Sequence, residues 1–195
     1  MRRWKRVQTE AGVRFRSALE LHEAALLRNL VGSVLDMLDT REPSGPVDEL
    51  EAITGMRVGN TRAPQDPTLQ RLLPDFHHPD GDEPDDPVGV DDLNAALRGL
   101  HEPAIIDAKR AAAQELLGTV PHAGGRIELT EEQANGWVAA INDVRLALGT
   151  MLGVGPDGPD RLPADHPMAG QLGVYQWLTV LQDYLVVALM GRRGR

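Results

Sequence analysis

Cysteine is absent from this 195-residue chain. Its absence removes disulfides, thiolate metal sites, cysteine nucleophiles and any thiol-based redox switch in one step. Aromatic residues make up only 4% of the sequence, so aliphatic side chains and alanine must fill the core. Positive charge is also in deficit, with 20 Lys and Arg against 29 Asp and Glu, for a formal net charge of −9. That balance opposes non-specific affinity for DNA or an anionic membrane, because phosphate neutralisation supplies most such binding. The N-terminus lacks the apolar run of a secretory signal, so a cytoplasmic protein is expected.

The few cations are unevenly spread. Arg2, Arg3, Lys5, Arg6, Arg14 and Arg16 crowd the first sixteen residues, and Arg192, Arg193 and Arg195 end the chain. Residues 4–16 read as a β-hairpin, with Val7, Val13 and Phe15 alternating and Ala11-Gly12 at the turn. Arg14 and Arg16 then share one strand face. With Arg3 and Lys5 they form a candidate contact surface for a protein partner or for nucleic-acid phosphate. Their blander role is to offset acidic surface elsewhere.

The rest of the chain is patterned as helices. Ser17 and Glu20 have capping-box spacing, and Leu27, Val31, Val34 and Leu38 follow at helical intervals. Residues 40–66 read as a loop with a short helix over Val47–Ile53. Asp66-Pro67 is a second start signal, aspartate capping and proline at the first helical position. Within Asp75–Asp92 lie eight carboxylates and no Lys or Arg, so residues 75–91 read as a mobile acidic loop. A helix is expected over Asp92–Leu117, restarting at Pro103, with Leu93, Ala96, Leu97 and Leu100 on its inner face and Ile105, Ala108, Ala112 and Leu116 continuing it. Val120–Arg126 reads as a turn.

Two long apolar-periodic segments close the sequence. Thr130 and Gln133 form a capping box before a helix lined by Trp137, Ile141, Val144 and Leu148. The last segment packs Leu172, Tyr175, Leu178, Leu181 and Leu185. It is apolar enough to suggest a tail anchor, but Gln176, Gln182 and Asp183 interrupt it, and a central carboxylate costs about 2.5–3.5 kcal/mol on insertion. A buried core helix is the better reading. The expected whole is an all-α single domain over residues 1–195, a bundle of about five to six helices carrying the small hairpin.

Catalytic and ligand motifs are not in evidence. Gly153, Gly155 and Gly158 spell G-x-G-x-x-G, but after a helix and before Pro159, where no dinucleotide fingerprint belongs. His77 and His78 beside Asp75, Asp80 and Asp82 lack the spacing that fixes metal ligands. His22, His101, His122 and His166 are scattered. No metal and no cofactor is expected, and no enzyme. The most specific polar set is Asn142, Asp143 and Arg145. Asp143 and Arg145 stand two apart and do not face each other on one helix. Each needs a partner from another element, such as Gln176, Gln182 or Asp183, which makes them inter-helix ties. A small-molecule pocket beside Asp143 and Arg145 is the alternative.

The segments from Trp137 to Thr150 (WVAAINDVRLALGT) and from Val174 to Val187 (VYQWLTVLQDYLVV) resemble an actinobacterial domain-of-unknown-function family that includes the mycobacterial oxidative-stress transcriptional regulator. Trp137, Leu148, Tyr175 and Trp177 are the core of that resemblance. Residues 66–75 (DPTLQRLLPD) and the helix Leu19–Leu38 also look like its motifs. The resemblance implies a mostly helical, intracellular, non-enzymatic protein with a stress-linked transcriptional role. That role would run through a partner, a transcription-associated factor or a Clp-system component. The characterised member of the family is thought to sense oxidation through paired cysteines, and this chain has none to carry that role.

Overall fold

The computed structural model of the chain describes residues 2–42, 57, 59–77, 87–155 and 167–191. Two strands open it, β1 (Lys5–Thr9) and β2 (Gly12–Leu19), followed by helices α1 (Leu21–Arg41), α2 (Pro67–Leu72) and α3 (Pro87–Thr119). A third strand, β3 (Gly125–Leu129), then leads into α4 (Glu131–Met151) and α5 (Ala169–Leu189). The protein is mostly helical, as its sequence pattern indicates. The expected short helix at Val47–Ile53 lies outside the described residues.

The hairpin is one part of a larger element. β3 pairs antiparallel with β2, and the three strands form one sheet in the order β1-β2-β3. The segment read as a turn therefore ends in a strand, with Ile127 and Leu129 buried beside Phe15 beneath the sheet. Pairing with β3 also carries β2 on to Leu19 and displaces the expected capping box. Glu20 and Glu23 cap α1 instead, the Glu20 N–H donating to Glu23 at 2.8 Å. The Ser17 hydroxyl donates to the Arg2 carbonyl. Gly124, at φ +70, makes the tight approach to α1 that lets β3 enter, since a Cβ there would meet the Leu21 nitrogen at 2.7 Å.

α4 is the central helix, packed by α1, α2, α3 and α5. Its start is locally encoded: the Thr130 hydroxyl accepts from Gln133 N–H at 3.1 Å, and the Gln133 side chain accepts from Thr130 N–H at 3.0 Å. Trp137 and Ile141 are wholly buried, and the Trp137 indole donates to Thr119 on α3 at 2.7 Å. Trp4, just before β1, meets the Trp137 ring edge-on at 5.6 Å and so pins the sheet to the bundle. α5 alone among the described helices is long and apolar enough to cross a membrane. Its Leu178, Leu181 and Leu185 are fully buried in the core.

α3 departs most from its sequence pattern. It starts at Pro87, inside the stretch read as an acidic loop, and runs unbroken through Pro103. Proline lacks the N–H that would bond the carbonyl four residues back. Here the Gly59 N–H takes that place, donating to Gly99 O at 2.8 Å, so the helix continues. The inner face is also rotated from the expected one. Leu93 and Leu100 are 43% and 62% exposed, while Asn94, Arg98 and Glu102 face inward with Ile106, Ala113 and Leu116.

Candidate partner interface

Those inward-facing polar residues form a closed charge cluster. Arg98 is 1% exposed; one guanidinium nitrogen donates to Glu102 at 2.7 Å and to Leu73 O at 3.1 Å, the other to Asp75 at 2.6 Å. Glu102, also 1% exposed, accepts from Arg41 of α1 at 2.8 Å. The Asn94 amide accepts the N–H groups of Phe76 and His77 and donates back to His77 O at 2.9 Å. The segment after α2 is thereby docked on α3 as far as His77, which corrects the reading of a mobile loop from residue 75. Residues 78–86 lie outside the described part. Farther along α3, Arg110 bonds Asp39 and Glu42 at 2.8 Å each, holding α1 against it. Every charge in the buried cluster has a partner, so it acts as a clasp.

Two of the three polar residues singled out on α4, Asp143 and Arg145, are likewise tied to other helices. Asp143, 5% exposed, accepts from Lys109 of α3 at 2.6 Å. Its burial pushes the carboxyl above the ordinary aspartate range, outweighing the Lys109 ammonium, which pulls the other way. Arg145 donates to Thr179 at 3.1 Å and to Gln182 of α5, and lies 5.4 Å over the Tyr175 ring. Gln182 in turn donates to Val138 O. Gln176 and Asp183 are exposed, and half-buried Asn142 makes no side-chain hydrogen bond among the described residues. Lys109 and Thr179 complete these ties, and neither stood out in the sequence. Leu148 is buried and Trp177 half-buried against the core.

The candidate contact residues converge on the sheet. Lys5 pairs with Arg16 and Val7 with Arg14 across β1 and β2, while Arg16 faces Glu128 on β3. Because side chains alternate, Lys5, Arg14, Arg16, Arg126 and Glu128 share the outer face, opposite the inner face of Phe15, Ile127 and Leu129. Four cations thus share this face with one carboxylate, which Arg16 Nε meets at 2.5 Å and Arg14 Nε at 4.0 Å. Lys5 and Arg126 have no ion-pair partner among the described residues. Arg126 escaped notice because its strand did. A shallow basin crosses this face between Arg2, Lys5, Arg16 and Arg126. Arg3 lies 4.8 Å over the Tyr184 ring of α5 and lines the same basin as Lys5, Arg16 and Arg126.

Among the described residues no group of three or more His, Cys, Asp or Glu is placed to hold a metal ion. A family model described as "Domain of unknown function (DUF2017)" matches residues 1–189. The chain belongs to that family. Over 196 aligned positions it is 63% identical to proteins named "Oxidative stress regulator AosR" in Mycobacterium bovis and Mycobacterium tuberculosis, covering 99% of this chain and 90% of the relative. A "Putative oxidative stress regulator AosR" of Mycobacterium leprae is 58% identical over 193 positions, 97% of this chain and 89% of the relative. No solved structure matches the chain. The resemblance read in four segments of the sequence thus extends over residues 1–189 in the family model and over 97–99% of the chain in these relatives.

Proposed function

We propose that this chain is a non-enzymatic cytoplasmic regulator of the oxidative-stress response that works by holding a protein partner on the outer face of its sheet. The observation that carries the stress link is the 63% identity, over 99% of the chain, to proteins named as oxidative stress regulators. What supports a partner at this face is its charge. Lys5, Arg14, Arg16 and Arg126 share one sheet face with Glu128 on a chain of net charge −9, a local field of sign opposite to the whole. Such a patch steers an acidic protein surface and fixes its orientation. By resemblance the partner is a transcription-associated factor or a Clp-system component. With no cysteine in the chain, the oxidant signal reaches it through that partner or through chemistry other than thiol oxidation.

A strain lacking the gene, complemented with wild type or with a Lys5→Ala, Arg14→Ala, Arg16→Ala variant, tests the reading. Peroxide survival should return with wild type and fail with an equally abundant variant. Equal rescue by both would overturn the assignment to this face. Direct binding to DNA through the same four cations is the second reading. It requires affinity that falls steeply with salt, by a log–log slope of about −0.9 per phosphate contacted. A gel shift at low salt decides between the two.

A further inference from the structure

Among the described residues β1 is an edge strand, bonded to β2 on one side only. The two-residue turn makes Thr9–Gly12 the closing pair of the hairpin. The pairs therefore alternate so that Thr9, Val7 and Lys5 exchange backbone hydrogen bonds with β2. Arg2 N–H donating to Ala18 O is consistent with this, because it places the even-numbered residues of β2 toward β1. The N–H and C=O groups of Arg6 and Gln8 then point away from the sheet, and neither residue has another backbone partner among the described residues. A groove of about 930 Å³ lies along this side, lined by every residue from Arg3 to Gln8 and by Tyr184, Val187, Ala188 and Gly191 at the end of α5. A cavity over one sheet face would touch alternate residues. Contact with all of them places the groove at the open edge.

From this we infer that the β1 edge takes an extended acidic segment of a partner protein as a fourth strand. Four unbonded backbone groups on Arg6 and Gln8 supply the ladder, and main-chain bonds of this kind give affinity without a fixed sequence. The end of α5, with half-exposed Val187, supplies an apolar wall for alternate side chains. Charge chooses the occupant. Among the described residues the groove is lined by Arg3, Lys5 and Arg6 and by no carboxylate, and none of the three has an ion pair. A second copy of β1 would bring the same cations to the edge and be repelled, since charged edge strands resist self-pairing. A strand carrying Asp or Glu neutralises them.

This inference rests on the reading that the chain acts through a protein partner, and it is tested on the purified full chain. The probe is a fluorescein-labelled decapeptide alternating Glu and Val. It should bind, and its Lys-Val counterpart should not. Arg6→Glu, at an exposed position, should weaken binding by about tenfold or more with the melting temperature kept. N-methylation of the peptide amides on one edge should abolish binding, and on the other edge should leave it intact. In hydrogen exchange, the Arg6 and Gln8 amides should slow on binding while Lys5, Val7 and Thr9 stay as slow as before. Absence of binding would overturn the inference, as would equal binding by the Lys peptide or unchanged exchange at Arg6 and Gln8. Such a failure leaves the peroxide-survival test of the outer face standing, so the two readings fail separately.

Discussion

Gly59 donates its backbone N–H to the Gly99 carbonyl at 2.8 Å, the carbonyl that Pro103 leaves without a helical partner. The same closeness demands glycine. A Cβ on residue 59 would stand 2.7 Å from Pro103 Cδ and 2.8 Å from Cγ. Gly59→Ala should therefore cost about 1–3 kcal/mol, the usual range for overpacking a fitted contact. Adding Pro103→Ala removes the ring and restores the helix's own donor, so the double variant should lose less than the two single losses summed. Urea denaturation of the three variants checks both statements.

The Arg98–Glu102 pair gives a contrast between buried and exposed ion pairs. Both residues are 1% exposed, and Arg98→Met leaves Glu102 with Arg41 alone and takes the donor from the Leu73 carbonyl, so it should cost about 3 kcal/mol. Arg16→Ala breaks a pair whose side chains are 49% and 46% exposed, and should change stability by less than about 1 kcal/mol. Thermal melts of the two variants should separate them clearly. Similar losses would show that the clasp is not what holds residues 73–77 on α3.

Asp143 makes stability depend on pH in a definite direction. Its folded-state carboxyl lies above the ordinary aspartate range because burial outweighs Lys109. A group raised in the folded state contributes stability below its unfolded value, and that contribution is lost as pH rises through the folded value. Wild type minus Asp143→Asn stability should therefore fall as pH climbs from the acid side of the aspartate range toward neutrality. Paired urea titrations at several pH values measure the difference. A difference that grows with pH would mean that Lys109 dominates.

The tryptophans divide by depth. Trp137 is wholly buried and hydrogen-bonded to Thr119, so Trp137→Ala should cost about 3–5 kcal/mol. Trp177 is half-buried, and its replacement should cost distinctly less, measured by the same denaturation.

What was legible in the sequence was what is decided locally. The Asp66 cap, with Asp66 accepting from Leu69 N–H, and the Thr130–Gln133 box need only neighbours, as does the apolar period of α4 and α5. What was missed depends on distant partners. Gly125–Leu129 becomes a strand because β2, more than a hundred residues earlier, offers an edge, and that pairing moves the start of α1 from Ser17 to Glu20. On α3 the apolar-means-inside rule failed because Leu73 O and the Phe76 and His77 amides needed polar partners, which Arg98 and Asn94 supply. The candidate site was half legible. Alternation placed Arg14 and Arg16 together, while Arg126 and Glu128 entered only through the unseen strand.

The central claim, a protein held on the basic outer face, is tested most directly by a photo-crosslinking amino acid placed at Arg16 in living cells, with exposed Gln114 on α3 as the control position. The account predicts a discrete covalent adduct from position 16, containing a transcription-associated or Clp-system protein. It should be absent from position 114 and lost when Lys5 and Arg14 are replaced by alanine. Adducts containing only nucleic acid, or the same products from both positions, would contradict it.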